Sequence, residues 1–158
     1  MQRYSFTVVV LLIAIGNLSA AEEREYRPGG DRFASTWTEF YAGDHEPELD
    51  DPLIHAGKKM TQAICEAIRH RDMKLRRYAI GALGFIGDSR ALPTLEAILA
   101  DSSEIYYFRG DALHAIYQIN RERGKKGARK FGAEHPYISD LARSIEADEK
   151  WLLEPTEE

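Results

Sequence analysis

The chain has 158 residues, 44% of them apolar and 30% charged, enough to bury the core of one domain and too apolar for a disordered segment. Its 26 acids outweigh 21 bases, which argues against a nucleic-acid binder. A single cysteine, Cys65, excludes a fold stapled by disulfides within one chain.

The first residues read as a secretory signal. Arg3 supplies the positive end, Phe6 to Ile15 the apolar run, and Asn17-Leu18-Ser19-Ala20-Ala21 the small residues. Cleavage after Ala21 places Ser19 and Ala21 at the two positions where a signal peptidase needs small side chains. The apolar run falls short of the about 20 residues that cross a bilayer, and no cysteine near the cut supports a lipid anchor. The expected location is periplasmic or secreted, with no membrane span left after cleavage. The expected organisation is a signal peptide at 1–21, an acidic lead at 22–51, a helical domain at 52–152 and an acidic tail at 153–158.

Residues 22–32, charged and broken by Pro28-Gly29-Gly30, read as a flexible lead. Phe33, Trp37, Phe40 and Tyr41 share one face of a short helix that ends at Gly43 and closes one end of a core. An acidic loop from Asp44 to Asp51 follows. Asp51-Pro52 opens a helix that carries Met60, Ile64, Ala67 and Ile68 on its apolar stripe and ends near His70. Cys65 packs in that stripe as a small hydrophobe, since no histidine or second cysteine activates it. The next helix buries Leu75, Ala79, Ala82, Leu83 and Ile86 and stops at Gly87. Asp88 or Ser89 caps a third, with Pro93 in its first turn and Leu92, Leu95, Ile98 and Leu99 inward. Phe108, Ala112, Ala115, Ile116 and Ile119 mark a fourth. Gly124-Lys125-Lys126-Gly127 reads as a turn, His135-Pro136 opens a last helix with Ile138, Leu141, Ala142 and Ile145, and Trp151-Leu152 fold onto the end.

The pattern repeats. Arg76, Ala79, Ala82, Leu83 and Ile86 meet Arg109, Ala112, Ala115, Ile116 and Ile119 at an offset of 33. Ile64, Ala67 and Ile68 meet Leu95, Ile98 and Leu99 at an offset of 31. A helix pair recurring at this length marks an α-solenoid. The run Leu75-Arg76-Arg77-Tyr78-Ala79-Ile80-Gly81-Ala82-Leu83-Gly84-Phe85-Ile86-Gly87-Asp88-Ser89-Arg90-Ala91-Leu92-Pro93 resembles the short HEAT-like repeat, in the form also found in phycobilisome lyase-type proteins. The resemblance is good over about residues 58–120 and degenerate over 130–150. It implies an all-α fold: a short α-solenoid, a right-handed superhelix of antiparallel HEAT-like helix pairs with an N-terminal capping helix. It also implies structural roles for Arg76, Arg109 and Asp88, which would tie neighbouring repeats together.

Sites of chemistry are few. His45-Glu46 and Glu134-His135 lie outside the matched helices and do not supply the converging ligands that a metal centre needs. No phosphate loop, nucleophile elbow or zinc-protease helix is present, so no catalytic residue, metal or cofactor is expected. The charges are segregated: residues 57–79 and 120–130 are each net +5, whereas 22–51 is net −7. Solvated helix faces or a grip on an anionic surface would each account for this. Opposite the core stripe lie Lys74, Arg77, Gly81 and Gly84 in one copy and Tyr107, Gly110, His114 and Tyr117 in the next. Mid-helix glycines cost about 1 kcal/mol each relative to alanine, so Gly81 and Gly84 point to close approach of another backbone. Either a neighbouring helix packs there, or a shallow groove is walled by Tyr107, His114 and Tyr117 and rimmed by Lys74, Arg77 and Arg121. Such a groove suits an acidic peptide. The expected function is a non-catalytic protein–protein adaptor or scaffold of the cell envelope. An accessory factor for a cofactor- or chromophore-modifying enzyme, or a structural subunit of an envelope assembly, are the alternatives.

Overall fold

A computed structural model describes residues 22–43 and 51–153; residues 1–21, with the expected signal segment, 44–50 and 154–158 lie outside the described residues. The α-helices are α1 (Ala34–Ala42), α2 (Asp51–Ala56), α3 (Thr61–Ala67), α4 (Arg76–Ile86), α5 (Leu92–Ala100), α6 (Tyr106–Ile119), α7 (Arg121–Phe131) and α8 (Pro136–Glu146). The apolar periodicity dictates their packing. Ala79, Ala82, Leu83, Ala112, Ala115 and Ile116 are buried where α4 meets α6, and Ile138, Ala142 and Ile145 carry the same layer on into α8. Three helix pairs result, α3 with α4, α5 with α6 and α7 with α8, the second helix of each forming an inner layer. At the first end α1 packs on α2 and α2 on α4. Phe33, Trp37, Phe40 and Tyr41 are all buried there, as one face of a capping helix requires.

Punctuation follows local chemistry. Gly87 ends α4 at φ +66°, a left-handed value that glycine takes without a Cβ clash, and its N–H reaches the Leu83 carbonyl at 3.2 Å. Two charged side chains then fasten unit to unit. Arg76 is buried on α4; its Nε donates to the Ile68 carbonyl at 2.6 Å, at the end of α3. Its Nη1 lies 2.8 Å from Glu104 Oε2, in the turn before α6, an ion pair at an angle outside a hydrogen bond's. Arg109 repeats the arrangement one unit on: Nε donates to the Leu99 carbonyl at 2.9 Å, and Nη2 meets Glu134 in the turn before α8. Each guanidinium lies over a phenylalanine of the following unit, Phe108 at 4.7 Å and Phe131 at 5.8 Å.

Three expectations need correction. The helix read from Asp51 to His70 is two helices, because Gly57 adopts φ +66° and opens a 3-10 turn over Gly57–Lys59; Arg90 Nη2 holds that turn through the Lys58 carbonyl at 2.7 Å. The glycine- and lysine-rich stretch 124–127 is not a turn but the middle of α7. Asn120 caps that helix by accepting the Arg123 N–H at 3.0 Å, and both glycines face close neighbours: a Cβ on Gly124 would fall 2.5 Å from Tyr117 Cα, and one on Gly127 3.0 Å from Leu113. The lead at 22–32 is hydrogen-bonded to the rest of the fold. Arg24 pairs with the chain around Met73 through Arg24 N to Asp72 O (2.7 Å) and Lys74 N to Arg24 O (2.8 Å). Tyr41 Oη accepts Tyr26 N–H at 2.9 Å and donates to the Tyr26 carbonyl at 2.8 Å, and Trp37 Nε1 donates to Pro28 O. Burial pushes the Tyr41 hydroxyl up to about 12, which keeps it a donor at every ordinary pH.

The arginine ties give a direct test. Arg76→Ala strands the buried Glu104 carboxylate and an unpaired helix-end carbonyl, so the chain is expected to lose about 3–5 kcal/mol of unfolding free energy in urea titration.

Candidate functional site: the inner helix face

The inner face is built by α4, α6 and α8, and the two glycines that face across it explain its shape. A Cβ on Gly84 would lie 3.0 Å from Ala115 Cα, and Gly110 leaves room only for the Tyr137 ring. The helices therefore approach closely, and the face they share is shallow. Of the two readings of Gly84, the close helix neighbour is the one observed.

The residues expected to form one groove are separated. Arg77 Nε donates to Asp111 Oδ2 at 2.9 Å, and its Nη2 reaches Asp111 Oδ1 and the Tyr137 hydroxyl, each at 3.4 Å. This row crosses all three inner helices. Burial raises the Asp111 carboxyl above its ordinary range, and Arg77 opposes that rise. Tyr107 lies beside the row with its ring 5.6 Å from Tyr137 and is 45% exposed; Ile105, at the start of α6, is 54% exposed. Lys74 lies 3.6 Å from Glu25, so the N-terminal segment offsets part of its charge.

Tyr117 is the main correction. It is fully buried, its hydroxyl donates to Asp148 Oδ1 at 2.7 Å, and α7 lies against it at Gly124. It cannot anchor a partner. His114 is also covered: its Nε2 is 2.8 Å from the Leu152 carbonyl, and Trp151 stands edge-on to its ring at 5.7 Å. Burial lowers the affinity of His114 for a second proton. Since a carbonyl can only accept, Nε2 carries the hydrogen. Arg121 sits at the start of α7, near enough to Tyr117 and Asp148 for its charge to act on both.

The remaining positions have structural neighbours. Asp88 caps the 3-10 turn Ser89–Ala91 by accepting Arg90 N–H at 3.1 Å, pairs with the Arg90 guanidinium, and accepts from Thr61 Oγ1 at 2.9 Å. Cys65 is buried, and burial pushes its thiol up, away from reactivity. Glu134 is held by Arg109, while His135 Nδ1 caps α8 through Tyr137 N–H at 3.2 Å and its ring stacks on Tyr106 at 3.8 Å. His45 and Glu46 lie outside the described residues, among which no three His, Cys, Asp or Glu side chains converge as metal ligands would. Three of the six bases on α7 are matched by acids: Arg123 with Glu96 (3.0 Å), Lys125 with Asp148 (2.5 Å) and Arg129 with Glu146 (3.2 Å). A groove of about 400 Å³ between α5 and α7 is rimmed by Arg123, Lys126 and Lys130, on the outer side of the stack.

Sequence reasoning missed Asp111, Tyr137 and the crossing of Trp151-Leu152 over α6. The offset of 33 could have found Asp111, because it matches Tyr78 on the edge of the exposed side of α4. Nothing in the periodicity reports where the chain after α8 goes.

A family model described as HEAT repeats matches residues 53–124, the stretch from α2 into α7, and the helix pairs built there are HEAT-like. No curated protein and no solved structure matches the chain.

The Asp88 turn carries a pH test. Its hydrogen bonds with Arg90, then the one from Thr61, hold its carboxyl well below the usual range against the opposing effect of burial. A folded-state value below the unfolded value of about 3.9 adds stability above that pH and loses it as pH falls. In urea melts, Asp88→Asn is expected to be less stable at pH 7 and to lose less stability than the parent chain between about pH 5 and pH 2.

Proposed function

We propose that this protein is a non-catalytic interaction module of the cell envelope that holds a protein partner on the open half of its inner helix face. The observation that carries the reading is Tyr107, a large aromatic side chain left 45% exposed beside the Arg77–Asp111–Tyr137 row. Soluble domains bury such side chains when they can, and an aromatic next to an arginine on a rigid face is the composition of a binding hot spot. The row fixes Arg77 in place, yet its side chain remains 52% exposed, so it can still meet a partner's acid. HEAT repeats commonly mediate protein–protein contacts, and the shallow face favours a macromolecule over a small substrate, which needs an enclosing pocket. Export rests on the order Arg3, Phe6 to Ile15, Ser19 and Ala21. Among the described residues no helix is long and apolar enough to cross a membrane.

Two experiments test the reading. A photocrosslinker at Tyr107 is expected to capture a defined partner in the cell, with capture reduced about tenfold or more by Arg77→Glu, while the same group at Glu96 on the outer helix α5 captures none of it. Equal capture from both positions would sink the inner-face reading. Mass spectrometry of the protein from the native host is expected to find Glu22 as the first residue; an intact Met1 would remove the envelope assignment.

A further inference from the structure

Beyond α8 the chain turns back. Asp148 takes φ +50°, a left-handed value uncommon for a non-glycine residue, and sends the 3-10 helix Lys150–Leu152 across α6. What it meets there resembles a ligand in a site more than a helix in a stack. Leu152 is fully buried, while its neighbour Trp151 stays 49% exposed. The Leu152 carbonyl accepts the Nε2–H of His114 at 2.8 Å, a side-chain bond to a backbone group that does not depend on the residue's identity. Asp148 anchors the upstream end by accepting from Tyr117 Oη at 2.7 Å and Lys125 Nζ at 2.5 Å. Asp148 and Glu149 outweigh Lys150 by one charge, and the groups the segment lies against include Lys125 and the nearby positive field of Arg121.

We propose that the middle of the inner face, around His114, is a peptide-binding slot whose resident is this chain's own segment Asp148–Leu153. The partner segment that fits the slot then has the same chemistry: a leucine-like side chain for the apolar hole, an aromatic just before it, and an acid four residues upstream for Tyr117 and Lys125. Binding in cis keeps the slot filled until such a segment displaces the strap. His114 recognises the backbone, the hole recognises the side chain, and Lys125 sets the register through the acid. The proposal borrows from the protein-binding reading only the existence of a displacing partner, since the slot and the Tyr107 surface are different halves of the face.

The probe is a fluorescein-labelled peptide of residues 147–153, Ala-Asp-Glu-Lys-Trp-Leu-Leu, followed by anisotropy against the full mature chain. Leu152→Asp in the protein expels the strap, because the hole cannot hold an unpaired carboxylate. That variant is expected to bind the peptide at least about tenfold more tightly than the parent chain, whose slot is occupied at high effective concentration. Adding His114→Ala, or placing Asp at the Leu152 position of the peptide, is expected to abolish the gain. A helical, cooperatively melting Leu152→Asp chain that binds no better than the parent overturns the proposal and leaves the strap as a structural cap. Should that variant unfold, the parent chain decides: millimolar peptide is expected to speed hydrogen exchange in residues 148–153, and unchanged exchange overturns the slot. Crosslinking from Tyr107 reads the other half, so either idea can fail alone.

Discussion

Everything else in this fold hangs on a buried arginine that reaches from one helix pair into the next. Arg76 and Arg109 each satisfy a carbonyl at the end of the preceding outer helix, where the helix itself provides no partner, and place a cation where the helix dipole favours one. The other end of each guanidinium meets an acid in the turn of the following unit. A buried charge is tolerable only when it is paired, so the acid and the arginine fix the distance between units as firmly as apolar packing does. The ladder has ends, and they are finished differently. Asp72 holds the turn position of Glu104 and Glu134, and its partners are Tyr26 Oη at 2.8 Å and Arg24 at 3.6 Å. The N-terminal segment thereby supplies what a preceding unit would. At the far end, three residues before Ile138, as Arg76 is before Ala79, stands His135, which caps α8 and stacks on Tyr106.

That spacing constrains the functional face. Because the units are held close, the inner helices need Gly84 and Gly110 where they touch, and no deep groove can open between them. What lines the face is a flat row, Arg77, Asp111 and Tyr137, with Tyr107 beside it. Flatness and fixed polar geometry are poor for enclosing a metabolite and good for meeting a preformed surface. The basic residues of α7, which look like an anion grip when counted along the sequence, are half matched by acids from α5, α8 and the turn after it.

The helix pairs were legible because apolar spacing reports burial directly: Ile64, Leu83, Leu95 and Ile116 are all buried as the periodicity demands. Helix α7 was not. Its sequence holds two glycines and six bases, which local chemistry reads as a turn, and only the tertiary neighbours explain the glycines. The register with α5 was nonetheless present at an offset of 32, where Leu92, Leu95 and Leu99 meet Gly124, Gly127 and Phe131. Tyr117 failed for the same reason: its place opposite the core stripe says that it leaves α6 on the far side, not that α7 and Asp148 wait there to cover it. The lead at 22–32 has the composition of a loop, and its order comes from Asp72 and Tyr41, 15 to 46 residues away. Periodicity locates what a helix buries; it is silent about which neighbour arrives on the other side.

The same physics separates the parts of the molecule that must hold from those that can let go. An arginine tie joins two units, so opening it means parting helices along their whole length and exposing charge at the same time. The strap after α8 has no such coupling. It is fastened by the buried Leu152, the partly buried Leu153 and polar groups at Asp148 and His114 that water can replace, and the residues from 149 to 151 are exposed. Local opening costs least where buried apolar contacts are few and backbone is exposed. The inner layer can therefore stay rigid while the segment over His114 exchanges, and a face with one fixed half and one coverable half follows from where the ladder stops.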